Sequence, residues 1–294
     1  MSYDEFGAIE NIVLTEKTAI SDFAFNVSSD TITYGFSKIY VAKSATYPDA
    51  TVTYKSSDPN LLEVYSNGTV ITKGVGDVVV TATVAESDDY LETKATLTLT
   101  IEKGTQTNLV WSNSVPTDLT WKDTFTNVLT GGVNGTATYE SNSAIASVDA
   151  NGKVTFNKPG TVKITGTMPG NANYNDATSS YEITVGKAAQ EELVFNDKTP
   201  DAIFYGDTIT NAIVSVGSTG GTVSYKSSIY TVATVDANGK ITTHKSGNVT
   251  ITATIAGNDL YNEVSATYDL TIYKAEQKPD FLFAKGDADK EMTY

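Results

Sequence analysis

Val148-Asp149-Ala150-Asn151-Gly152-Lys153-Val154 returns as Val235-Asp236-Ala237-Asn238-Gly239-Lys240-Ile241, 87 residues further on (148 to 235). A blurred copy, Val64-Tyr65-Ser66-Asn67-Gly68-Thr69-Val70, lies 84 residues ahead of the first (64 to 148). Gly76, Gly160 and Gly247 move in step with it, as do Tyr90, Tyr174 and Tyr261, and Lys103, Lys187 and Lys274. Self-similarity at one period marks an array of like units. A period of about 85 residues is too long for a solenoid repeat and fits one small domain per copy. A chain of 294 residues divided in this way holds three copies and has little length left for a separate catalytic unit.

The third copy is the cleanest to read. Strand-like runs at 193–195 and 204–208 are followed by 212–216, a glycine turn at 217–221, and 222–226. A run at 231–235 leads into Asn238-Gly239, a strong hairpin signal between apolar runs, and 240–243 leaves it. Residues 248–255 then alternate at period two, and 266–272 alternate again. About seven short strands separated by turns predict an antiparallel β-sandwich of immunoglobulin type. No helical period runs across the repeats. Alternation points Val249, Ile251, Ala253 and Ile255 inward, with Thr250, Thr252 and Thr254 outward. The matching inward sets are Val162, Ile164, Gly166 and Met168, and Val78, Val80, Ala82 and Val84. Tyr54, Tyr139 and Tyr225 recur at one position and are expected to lean on the core.

Composition agrees with an all-β chain. There are 45 Thr, and Val, Ile, Tyr and Phe are plentiful; such residues suit a pleated, half-buried surface. With no Cys, packing rather than disulfides must hold each unit. All 20 basic residues are Lys, the net charge is −15, and Arg is absent. Nucleic-acid binding is not expected, because phosphate and base recognition draw on clustered Lys and Arg. No apolar run approaches the ~18 residues that a membrane span needs.

The joints repeat as well: Lys103-Gly104-Thr105-Gln106, Lys187-Ala188-Ala189-Gln190 and Lys274-Ala275-Glu276-Gln277. They are short and poor in Gly, Ser and Pro, which predicts a semi-rigid rod of about 40 Å per unit and about 120 Å for three. Aligning the turn at Tyr34-Gly35 with Trp121-Lys122 and Tyr205-Gly206 sets the expected division. It comprises an N-terminal arm at 1–20, units at 21–104, 105–188 and 189–275, and the beginning of a fourth copy at 276–294. The N-terminus, Met1-Ser2-Tyr3-Asp4-Glu5-Phe6-Gly7, does not read as a secretory signal, so the protein either works without that export or is excised from a longer secreted chain.

Candidate sites are few. His244 is the single histidine, so His-based triads and multi-histidine metal sites are out, and the residue reads as part of a turn. Thiolate chemistry and cysteine zinc sites are also out. Glu86, Asp88 and Asp89 form the tightest acidic cluster, where calcium could stiffen a joint, but the other copies hold Gly170, Ala172 and Asn173, then Gly257, Asn258 and Asp259. A solvated acidic loop is the expectation. Trp111 and Trp121 could stack a sugar, yet they align with Phe195 and Tyr205 and read as core or interface aromatics. Asn26, Asn67, Asn134 and Asn248 stand in glycosylation-type triplets common by chance in a Thr-rich chain. No catalytic residue, cofactor-binding residue, cofactor or metal ligand is expected.

The runs Tyr139-Glu140-Ser141-Asn142 and Tyr225-Lys226-Ser227-Ser228, the Ala-x-Val-Asp-x-Asn-Gly-Lys stretches from Ala146 and Ala233, and Gly160-Thr161-Val162-Lys163-Ile164-Thr165 together resemble bacterial immunoglobulin-like domains. The similarity is to the group-two type of invasin and intimin stalks, and it spans about 21 to 277. The resemblance implies three tandem sandwiches and brings no catalytic residues. Such domains occur in adhesins, in accessory regions of secreted enzymes and in phage virion proteins. The leading expectation is a phage virion component, a capsid-decorating or fibre-like element docked on capsid or other virion proteins through its N-terminal arm or first unit. Its outer units would make weak multivalent contacts, for example with host-surface or mucus glycans, with no insertion into a membrane. The alternative expectation is a stalk fragment of a bacterial cell-surface adhesin.

Overall fold

The structure, a computed structural model, describes residues 16–274 apart from 134 and 216. The expected arm before residue 16, the beginning of a fourth copy, the triplet at Asn134 and the end of the 212–216 run fall outside the described residues.

Unit 1 carries β1 (Ala24–Phe25), β2 (Ser29–Thr33), β3 (Ser37–Ile39), β4 (Ala42–Lys43), β5 (Val52–Ser56), β6 (Leu62–Val64), β7 (Thr69–Thr72), β8 (Gly76–Val84) and β9 (Thr93–Glu102). One sheet has the order β2-β9-β8-β5 and the facing sheet β3-β7-β6, while β1 pairs with β4. Unit 2 repeats the plan with β10 (Val110–Trp111), β11 (Thr124–Thr126), β12 (Leu129–Thr130), β13 (Thr138–Ser141), β14 (Ala146–Val148), β15 (Lys153–Phe156), β16 (Gly160–Met168) and β17 (Ala177–Val185). Its sheets run β13-β16-β17 and β11-β15-β14, with β10 on β12. Unit 3 consists of β18 (Ile203–Phe204), β19 (Thr208–Thr210), β20 (Val223–Ser227), β21 (Ala233–Val235), β22 (Lys240–Thr243), β23 (Gly247–Ile255) and β24 (Val264–Tyr273). These pair as β18-β24-β23-β20 and β19-β22-β21. The chain is all-β, an array of immunoglobulin-like sandwiches with no helix among the described residues.

The repeated Asp-x-Asn-Gly-Lys stretch has a mechanical reason to persist. Asp149 Oδ1 accepts the N–H groups of Asn151 and Lys153, both at 2.9 Å, and Asp236 Oδ1 holds Asn238 and Lys240 at 2.8 and 2.9 Å. Gly68, Gly152 and Gly239 sit in the left-handed region with φ of 79°, 74° and 76°. Their carbonyls accept the N–H of Tyr40, Asn127 and Asn211 at 2.9, 3.0 and 3.0 Å. A Cβ on Gly152 would lie 2.3 Å from the Asn127 carbonyl oxygen, so the hairpin can reach its neighbouring strand only as glycine.

The alternating strands bury the expected side chains. Val249, Ile251, Ala253 and Ile255 are buried, as are Val162, Ile164 and Met168, and Val78, Val80, Ala82 and Val84. Each unit has a core of its own, that of unit 2 in two clusters, the smaller of them Leu129, Ala137 and Met168. Leu62, Val70, Leu97 and Leu99 belong to the first, Val154, Ile164 and Ile183 to the second, and Ile241, Ile251 and Leu270 to the third. Tyr54, Tyr139 and Tyr225 pack on these cores, and their hydroxyls accept the N–H groups of Ala42, Leu129 and Ile213 at 3.2, 2.9 and 2.9 Å.

One expectation needs correction. The sandwiches are not wholly antiparallel: β2 runs parallel to β9 from Ser29↔Thr98 to Thr33↔Glu102, and β18 runs parallel to β24. Thr120 makes the same parallel bridge to Gly186 in unit 2. Alternation is the same in both pairings, so periodicity could not reveal this. The rest of the unit supplies the long crossover that a parallel pair requires. Because first and last strands run the same way, the chain enters a unit at one end and leaves at the other. At the start of unit 1, Thr18 pairs with Tyr90 and Ile20 is buried in the first core.

Unit 1 also carries a clamp of its own between β4 and β5. Asp22 accepts Ser44 Oγ at 2.6 Å, the Thr46 and Ala45 N–H groups at 2.9 and 2.8 Å, and Thr46 Oγ1 at 2.9 Å. The loop so held stacks Tyr47 on Tyr90, with ring centroids 4.2 Å apart. The hydrogen bond from Ser44, followed by that from the Thr46 backbone, lowers the Asp22 pKa from its usual 3.8 to about 2. A depressed carboxylate stabilises the fold above its ordinary value and ceases to do so as pH falls through the folded one. The acid-induced melting of unit 1 is therefore expected to set in between about pH 4 and pH 2, and Asp22→Asn to flatten that slope in melts at stepped pH. An unchanged acid slope in the variant would remove the clamp from the account.

Candidate functional site: the joints between units

The same contact is built at each joint. The Gly104 N–H donates to the Asn173 carbonyl and the Gly104 carbonyl accepts the Asn175 N–H, both at 2.9 Å. Ala188 repeats this with Leu260 and Asn262 at 3.0 and 2.9 Å, and Thr18 with Asp89 and Leu91 at 2.8 and 3.1 Å. In each case the linker residue forms a parallel bridge with the tyrosine of a loop between two long strands: Tyr90, Tyr174 or Tyr261. That loop is the leading loop of its unit.

Side chains lock the contact. Tyr174 of unit 2 meets Tyr34 of unit 1 edge-on, centroids 5.2 Å apart, and Tyr261 of unit 3 meets Trp121 of unit 2 at 5.6 Å. Such pairs are worth about 0.5–1.5 kcal/mol beyond their buried area. Trp121 Nε1–H also donates to the Leu260 carbonyl at 2.7 Å, and Lys122 Nζ lies 4.7 Å from the Tyr261 ring centroid. Across the first joint Lys103 Nζ donates to the Asn171 carbonyl at 2.8 Å. Gly104 is needed there because an added Cβ would come within 2.9 Å of the Tyr34 carbonyl oxygen and 3.1 Å of the Tyr174 ring.

Two glutamines just past the linkers anchor the leading loops. Gln106 Nε2 donates to the carbonyls of Met168, Pro169 and Asn175, and Gln190 Nε2 to those of Ile255, Ala256 and Asn262. Both side chains are buried, at 5% and 7% exposure. Sequence reasoning missed them, although their recurrence four residues into each joint was on view.

The other candidates lie apart. Trp111 packs against Tyr139 and Tyr181 inside unit 2 and donates to Ser179 Oγ at 3.0 Å, whereas Trp121 belongs to the second joint. His244 is exposed and shares a hydrogen bond with Thr234 Oγ1 at 2.9 Å. Glu86 is paired with Lys17 at 2.6 Å, and no group of three His, Cys, Asp or Glu arranged to hold a metal ion occurs among the described residues. Asn67 Oδ1 accepts the Thr69 N–H within its hairpin.

Sandwiches with parallel first and last strands, locked end to end by one repeated contact, define a tandem immunoglobulin-like array. Residues 123–169 and 211–257, parts of units 2 and 3, match the family model described as the intimin immunoglobulin-like domain. A search of curated proteins gave no match. Similar solved structures include Drosophila N-cadherin EC1-4, at 13% identity over 87% of this chain and 76% of that one, with a TM-score of 0.29. Surface layer protein SbsC, domains 1-6, shares 17% identity over 87% of this chain and 40% of its own length, with a TM-score of 0.30. The human desmocollin-1 ectodomain shares 12% identity over 86% and 62%, with a TM-score of 0.33. The chain thus spans less than two thirds of the length of the last two.

Proposed function

We propose that this chain is a non-catalytic spacer and display array of a surface-exposed, adhesin-type protein, holding its units at fixed spacing. The joint repeated at Gly104 and Ala188 carries this reading, because an aromatic lock with paired backbone bonds gives orientation where a tether would give reach alone. The match to the intimin domain favours a bacterial surface over the virion placement. A phage capsid anchor through residues 1–20 or unit 1, with outer units on host-surface or mucus glycans, would use the same joints. Mass spectrometry of purified virions and of cell envelopes separates the two: recovery in particles alone would overturn the surface placement.

Small-angle scattering tests the spacer role. The full chain is expected to be roughly 120 Å long, and Tyr261→Ala to broaden its bending while each unit stays folded. A particle with the radius of gyration of one globule of this length, about 19 Å, would end the proposal.

A further inference from the structure

The entering and leaving segments of each unit run parallel where they pair, so tension grips them at opposite ends of their shared ladder. In unit 1 the linker draws β2 toward the leading side while β9 is drawn toward the trailing side. All the bonds between the two strands then carry the load together. An antiparallel pair gripped in this way would be held at one end of its ladder and would open one bond at a time.

The three ladders differ in length. Five residue pairs join β2 to β9, from Ser29↔Thr98 to Thr33↔Glu102. The Thr98 N–H donating to the Ser28 carbonyl at 3.0 Å and the Tyr34 N–H donating to the Glu102 carbonyl at 2.8 Å close its two ends. Unit 3 has two pairs, Ile203↔Ile272 and Phe204↔Tyr273, and unit 2 the single bridge Thr120↔Gly186.

The sequence accounts for the difference. Five residues before Tyr34, Trp121 and Tyr205 stand Ser29, Pro116 and Pro200. Proline holds φ near −65°, where a parallel strand asks for about −120°, and it constrains the residue before it as well. In units 2 and 3 the ladder forms only past the proline. Asp30, the next residue of β2, also accepts hydrogen bonds from Lys38 Nζ and the Tyr40 hydroxyl, tying the loaded strand to the facing sheet.

We infer that tension extends the array in a fixed order, units 2 and 3 giving way first and unit 1 last. Forced unfolding is governed by the unfolding rate, and bonds that must fail together slow it more as their number grows. The use of this order in a surface stalk rests on the spacer reading. The order itself belongs to the units and does not depend on what precedes or follows them.

Stretching the full chain in an optical trap is expected to give three steps, the last at the highest force. Each should release about 250 Å, from roughly 85 residues at about 3.4 Å less about 40 Å of folded length. Thr31→Cys with Thr100→Cys identifies unit 1. These are exposed partners on strands about 4.8 Å apart, within reach of a disulfide, and the chain has no other Cys. Oxidation should abolish the last step and reduction restore it. Ser29→Pro, a residue that the other two units carry at this place, should bring the last step down to the height of the earlier ones. Loss of an early step on oxidation, a last step unmoved by Ser29→Pro, or three steps of equal height in the native chain would each overturn the inference. A chain that scatters as a compact particle yet yields in this order would end the spacer reading and leave the inference standing.

Discussion

Ile251→Asp is expected to unfold unit 3 and leave units 1 and 2 standing. Ile251 is 0% exposed and lies at the middle of β23, opposite Ser227 on one side and Tyr268 on the other. Losing its burial costs about 1.5–3 kcal/mol. A carboxylate placed there has no partner and costs several kcal/mol more as an ion, or about 1–3 kcal/mol as an unsatisfied acid. The total rivals the roughly 5–15 kcal/mol that holds a whole domain together. Because the cores of the three units share no residues among the described ones, the damage should stay within unit 3. Limited proteolysis would check this: a resistant fragment ending near the second linker should survive. Both tryptophans lie in unit 2, so the emission of Trp111 should persist while Trp121 loses its Tyr261 contact and reddens. Loss of all strand signal in circular dichroism would mean that the units fold as one body.

The features legible in sequence were those fixed by local chemistry. The Asn-Gly hairpins, the inward sets on β8, β16 and β23 and the number of units follow from turn residues and period two. The parallel pairing of β2 with β9 was hidden because its two strands are separated by most of a unit, and alternation carries no sign of direction. The joints were half legible. Tyr174 and Tyr261 stood out as landmarks, yet each meets a partner in the preceding unit, Tyr34 or Trp121, that no local pattern connects to it. The start of unit 1 is less marked, because Ile20 stands where Gln106 and Gln190 mark the other joints.

Those glutamines give the second large effect: Gln190→Ala is expected to destabilise unit 3 by about 2–4 kcal/mol. Nε2 donates to the Asn262 carbonyl at 2.8 Å, with longer bonds to Ala256 and Ile255 at 3.3 and 3.5 Å, and Oε1 accepts Thr219 Oγ1 at 2.9 Å. The two short bonds dominate, and their loss leaves the part-buried Asn262 carbonyl and Thr219 hydroxyl without the side chain that paired them. For a domain of this size that corresponds to a fall in melting temperature of roughly 10–25 °C. Asn262 also donates its N–H to Ala188, so the same substitution should loosen the second joint and shift Trp121 emission. Gln106→Ala offers the internal control, lowering the melting of unit 2 and sparing unit 3. Unit 1 shows that an apolar side chain can fill this place, since Ile20 is 4% exposed there. Gln190→Ile therefore separates the two contributions of the glutamine. It restores volume but not donors, and its stability should fall between that of Gln190→Ala and the native chain; equality with the native chain would mean that the glutamine acts by packing, and that the loop carbonyls do not need it.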